Sequence, residues 1–133
     1  MGTVFMQKHE HWLLIAQEDL DSAKHLFLVP FMTGLFHIQQ CAEKSLKAYL
    51  MLKKGMVIKT HDLVRLVDTC MEFDKNFETL RLFAAVLTPY EVAGRYPDNP
   101  FPPLNTKELI ELTEQSEYVF NFIQNKINVK RTK

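Results

Sequence analysis

The sequence predicts an all-α protein, an antiparallel up-and-down four-helix bundle with an additional short helix, and three observations carry that reading. Apolar residues recur at steps of three and four through most of the chain, the period of a half-buried helix. No segment shows strand alternation with hairpin turn chemistry. Short connections separate the long periodic stretches, which favours antiparallel neighbours. At 133 residues, with 47% hydrophobic side chains, the chain is long enough for one domain whose core needs no staples.

Residues 1–8 show no clear period and read as a flexible N-terminus, followed by a bundle over 9–128 and a short basic tail over 129–133. From about His9 to Phe27, Trp12, Leu13, Ala16, Leu20, Ala23 and Phe27 form an apolar stripe, and Val29-Pro30 ends this first helix. The central helix runs from about Phe31 to Lys54. Gly55 stops it, and Lys53 and Lys54 suit the negative end of its dipole. Leu35, Ile38, Ala42, Leu46 and Tyr49 lie on one side of it, while Gln39, Gln40, Glu43, Lys44 and Lys47 carry a polar band along another.

Thr60 can cap a third, strongly apolar helix in which Asp62 sits in the first turn. A fourth stretch starts near Phe73 to Lys75 and places Phe77, Leu80, Ala84 and Leu87 at helical spacing before Thr88-Pro89 interrupts it. Pro89 to Gly94 is either a short separate helix or a kinked continuation. Four prolines between Tyr96 and Asn105 predict a rigid loop. Asn105 or Thr106 then caps the last helix, whose stripe is Leu109, Leu112, Val119, Phe120, Ile123 and Ile127.

Sixteen basic residues balance sixteen acidic ones, which argues against a global positive field for nucleic acid and leaves only a local patch. Cys41 and Cys70 both fall within apolar helical patterns, so buried thiols are expected rather than a disulfide or a metal site. No apolar run reaches membrane-spanning length, and the opening residues lack a secretory or myristoylation signal. The expectation is a cytoplasmic protein with no membrane association. No glycine-rich phosphate loop, nucleophile elbow or zinc-protease helix occurs, so no cofactor is expected.

The chemistry-bearing residues gather in two stretches. Gln39, Glu43 and Lys47 are each four apart, presenting an amide, a carboxylate and an ammonium along one row, with Glu43 and Lys47 in the favourable order for a helical ion pair. Lys44 lies on a neighbouring row; with Lys47 it can meet a phosphate while Glu43 orients the cations, or the band can be a solvated or dimer-facing surface. Arg95-Tyr96-Pro97-Asp98 is the second stretch. A guanidinium makes paired hydrogen bonds to phosphate oxygens, so Arg95 is an anion clamp or, structurally, a partner of Asp98, Glu91 or Glu43. Tyr96 either stacks on a base or packs the loop. His61 either transfers protons or caps and packs beside a helix start. His9 and His11 diverge on a helix, and His37 with Cys41 supplies too few ligands for zinc.

Gln40-Cys41-Ala42-Glu43-Lys44-Ser45-Leu46-Lys47-Ala48, followed by His61-Asp62-Leu63 and Arg95-Tyr96-Pro97-Asp98, resembles the HEPN domain family over roughly residues 9–127. The resemblance implies a bundle of four or five helices, a homodimer, and frequent pairing with a minimal nucleotidyltransferase in toxin–antitoxin-like two-component systems. It also implies nucleotide or RNA phosphate binding by Arg95, Lys44, Lys47 and Tyr96, supported by Glu43, Asp98 and Gln40. Other members are metal-independent ribonucleases that carry an arginine and, one to two helical turns later, a histidine. At that spacing from Arg95 stand Pro100, Phe101 and Pro102, and neither Arg65 nor Arg81 is followed by a histidine either. That motif is absent, which leaves His61 as the candidate for proton chemistry in a divergent ribonuclease. A structural dimerisation module is the remaining reading.

Overall fold

The computed structural model describes residues 7–25, 31–56, 58–88 and 106–131, and among these every regular element is helical. Helix α1 spans Lys8–His25, α2 Phe31–Lys54, α3 Leu63–Met71, α4 Arg81–Leu87 and α5 Thr106–Arg131, with a 3₁₀ turn over Lys75–Leu80. The chain is the all-α bundle its periodicity predicts. Helix α1 starts one residue inside the stretch expected to be loose, because the Gln7 N–H donates to Glu10 Oε1 at 3.0 Å, half of a capping box. Helix α5 continues through Arg131, since Val129, Lys130 and Arg131 contain no breaker and cations suit a helix C-terminus.

Helix α2 is the centre of the bundle. It ends at Gly55, whose φ of 75° places it in the left-handed region, and the Gly55 N–H donates to the Met51 carbonyl at 2.9 Å. Helix α1 lies antiparallel along it: Asp19 meets His37, and Trp12 meets Lys47. On another side Ser116 of α5 donates to the carbonyl of Ile38 at 3.1 Å, and α3 packs its own apolar face against the same helix. Ile38, Ala42, Leu46 and Tyr49 are buried as the spacing predicts, but so are Gln39, Gln40, Glu43 and Lys47. The polar band is enclosed by neighbouring helices and is not a solvated face.

Asp62 caps α3, correcting the expectation that Thr60 would: Asp62 Oδ1 accepts from the N–H groups of Val64 at 3.0 Å and Arg65 at 3.3 Å, while Thr60 Oγ1 accepts from the Asp62 N–H. The fourth stretch divides into two conformations. Phe77 and Leu80 are three apart, so a 3₁₀ turn aligns both on the buried side before the helix relaxes to α spacing at Ala84 and Leu87. Phe77 is closed to solvent between Tyr49 and Phe122, with ring centroids 4.5 and 5.1 Å away. Asp74 fixes the entry to this turn. It accepts from the Asn76 N–H, and its other oxygen accepts from Lys126 Nζ of α5 at 2.7 Å. No helix of the described residues is long and apolar enough to cross a membrane.

Candidate functional site

Glu43 gathers the side chains that the sequence sets four apart. On α2, Gln39 Nε2 donates to Glu43 Oε1 at 3.0 Å, and Lys47 Nζ donates to Glu43 Oε2 at 2.9 Å. Gln40 extends the chain of bonds by donating to Gln39 Oε1 at 2.6 Å. His61 arrives from the segment before α3 and places Nδ1 3.0 Å from Glu43 Oε2. The side chains of Glu43 and Lys47 are 3% and 7% exposed, whereas that of His61 is 56% exposed. A buried ion pair therefore carries one solvent-facing imidazole.

The protonation states follow from this geometry. Burial pushes a carboxyl toward its neutral form, but the hydrogen bonds from Gln39, Lys47 and His61, together with the charge of Lys47, outweigh burial and hold Glu43 below its ordinary value. Glu43 is then a carboxylate that can only accept. The proton between it and His61 accordingly resides on Nδ1, and Nε2 is the ring nitrogen not engaged by Glu43. Glu43 and Lys47 cancel each other's charge, so outward positive potential from this cluster depends on a proton at Nε2.

Lys44 takes another direction from Lys47. Its ammonium lies 3.9 Å from Asp19 Oδ2 on α1, and the other oxygen of Asp19 is 2.7 Å from His37 Nδ1. The structure brings Gln40, Glu43, Lys47 and His61 into one network and pairs Lys44 with a second carboxylate. Arg95, Tyr96 and Asp98 lie outside the described residues. Neither the contact of Asp19 with His37 nor that of Trp12 with Lys47 was legible in local spacing. Asp19 meets His37 across eighteen positions of sequence, and Trp12 reads as an ordinary member of an apolar stripe.

His37 is committed to Asp19 rather than to Cys41, whose thiol is pushed up to about 12 by burial. Among the described residues no three histidine, cysteine or acidic side chains are grouped to hold a metal ion. What the Glu43 cluster can do chemically is hold an imidazole in one orientation and one tautomer. That serves an anion when Nε2 is protonated and a proton acceptor when it is not.

The HEPN domain model matches residues 9–127 of the sequence. The crystal structure of TT1696 from Thermus thermophilus is similar at 28% identity and a TM-score of 0.79, with 91% of this chain and 99% of that one covered. ST0689, described as an archaeal HEPN homologue, has a similar fold at 22% identity and a TM-score of 0.71, covering 92% of this chain and 99% of its own. No curated protein matches the sequence.

Proposed function

The chain belongs to the HEPN domain family, and from that premise we propose that it is the cytoplasmic helical partner of a minimal nucleotidyltransferase in a toxin–antitoxin-like two-component system. It acts as a homodimer and holds a nucleotide or RNA phosphate at the Glu43 cluster. The observation that carries the binding reading is the half-exposed His61 imidazole, fixed through Nδ1 by a carboxylate that is itself buried and held by Lys47 and Gln39. Side chains locked in this way present Nε2 with little orientational freedom left to lose, which favours capture of a small anion. Leu82, Val86 and Tyr118, exposed around a groove of about 270 Å³ between α4 and α5 whose described lining carries no charge, supply apolar surface for a two-fold pairing of identical chains.

A thermal-shift titration with ATP, GTP and a short RNA tests the site, because a ligand that binds only the folded state raises Tm. The expected result is a concentration-dependent rise that is lost in His61→Ala. No rise with any of the three would remove the phosphate site. Co-expression with a nucleotidyltransferase encoded next to this protein tests the pairing, with a stable complex on size exclusion as the supporting result and separate elution as the opposing one.

The same geometry favours a second reading, a divergent metal-independent ribonuclease. A carboxylate behind Nδ1 orients an imidazole whose Nε2 can accept the proton of an attacking hydroxyl. The two readings place the Nε2 proton oppositely, since anion capture requires it and base catalysis requires its absence. RNA cleavage abolished in His61→Ala at unchanged folding supports the enzyme. Cleavage surviving in that variant removes His61 from the role.

A further inference from the structure

Helices α1 and α5 run antiparallel, since Lys24 and Glu117 pair toward one end while Glu10 and Asn128 line a common groove toward the other. That groove measures about 300 Å³. Its floor is apolar: Phe120, 3% exposed, joins Ala16, Leu20 and Cys41 in a small cluster set apart from the main core, and Leu13 packs against that cluster. Leu14 stands on the wall and is 46% exposed. Gln17, Gln124 and Asn128 add amides that can both donate and accept hydrogen bonds at the edge. From Phe120 to Asn128 the wall is about 12 Å long at a helical rise of about 1.5 Å per residue, which matches about two turns of a second helix laid along it.

Position and charge select the occupant. At about 100° per residue, Phe120, Gln124 and Asn128 lie on the side of α5 opposite Gln115, Tyr118 and Val119, which line the α4–α5 groove. A homodimer built on Leu82, Val86 and Tyr118 therefore leaves the α1–α5 groove open to a different chain. The charges beside it are acidic. Glu10 is the one charged side chain of the described lining, Glu18 and Asp21 follow in exposed positions on α1, and Lys24 beyond them is paired with Glu117. Every regular element described is helical, so these residues offer no sheet edge to an added strand, and a groove between two helices receives a third. We propose that the α1–α5 groove docks an amphipathic helix of a protein partner. Apolar side chains three and four apart on that helix sit over Leu13, Leu14 and Phe120, and its lysines or arginines face Glu18 and Asp21. The apolar floor supplies affinity, while the acidic edge sets orientation and speeds encounter. The inference rests on the homodimer reading only for the use of the opposite groove, and it adds the surface and the chemistry by which another chain is held.

The probe is a labelled helical peptide with leucines in one stripe and lysines elsewhere, and its control carries glutamate in place of each lysine. Both are titrated with the full chain and followed by fluorescence anisotropy. The expected result is saturable binding of the lysine peptide that weakens as salt rises, and no binding of the glutamate peptide. Leu14→Arg, at a half-exposed position, should weaken binding by at least about tenfold, and Glu18→Gln with Asp21→Asn should weaken it and flatten its salt dependence. Ile15→Arg adds the same charge to α1 at an exposed position outside the described lining, so its affinity should stay well above that of Leu14→Arg. No saturable binding of the lysine peptide, equal binding of the two peptides, or equal loss in Leu14→Arg and Ile15→Arg overturns the docking surface. Sedimentation of the chain alone tests for a second copy. A fall in molar mass in Leu14→Arg would place that copy in this groove and overturn the proposal, whereas a fall confined to Leu82→Arg supports it. Unchanged mass in Leu82→Arg removes the homodimer reading alone, because the peptide titrations decide the groove.

Discussion

Replacing Glu43 by alanine tests the central network most directly. The carboxylate is 2% exposed and accepts from Gln39 and Lys47 on its own helix and from His61 across the bundle. Its removal leaves the Lys47 ammonium, 7% exposed, without its counter-ion at a site where water cannot fully replace it. Breaking one side of such a buried pair costs about 3–5 kcal/mol, against less than about 1 kcal/mol for a pair on the surface. Urea unfolding monitored by circular dichroism measures the difference, with the denaturant slope expected to hold while the midpoint falls. The double variant Glu43→Leu with Lys47→Met removes both charges and restores apolar volume, so it is expected within about 1 kcal/mol of wild type or above it. A loss below about 1 kcal/mol for Glu43→Ala alone would refute the reasoning, since it would mean that the pair is solvated.

Phe77→Ala is expected to cost about 3–5 kcal/mol in the same assay, because the ring is fully buried between Tyr49 and Phe122 and its loss opens a cavity. Acid should destabilise the protein through two carboxylates. Burial opposes but does not overcome the hydrogen bonds that lower Glu43, and the Lys126 ammonium chiefly lowers Asp74. Their contributions are present above the ordinary values of 4.5 and 3.8 and are lost as pH falls through the lower folded values, so Tm should decline in that acid range and more shallowly in Glu43→Gln. Cys41 and Cys70 are closed to solvent and burial raises both thiols, so a thiol reagent should label neither in the native protein and both in urea. Rapid native labelling of either would place it at the surface.

Most of the helical framework was readable because each buried stripe is a local periodic signal. Leu109, Leu112, Val119, Phe120, Ile123 and Ile127 are all buried along α5, and Phe77, Leu80, Ala84 and Leu87 along the preceding segment. Periodicity identifies a contact side but not how many sides are covered, which is why α2 reads as amphipathic while the bundle encloses its polar band. The Glu43 to Lys47 pair was legible as a four-residue step. The contact of Glu43 with His61 was not, because it depends on how the segment before α3 returns to α2. Asp62 rather than Thr60 caps α3 for a smaller reason: both residue types cap well, and only backbone geometry decides which one stands at the helix entrance.

Helix α2 carries two acid–histidine–lysine groupings, one built on Asp19 of α1 and one on its own Glu43. Apolar stripes alone allow neighbouring helices to slide by a turn, about 5.4 Å, because leucine fits against many leucines. Asp19 stands between His37 and Lys44 on α2, so a one-turn slide of α1 in either direction would take it out of reach of one of them. The polar contacts therefore set the register in which α1 and α2 meet, and they convert a set of interchangeable apolar surfaces into one alignment of the bundle.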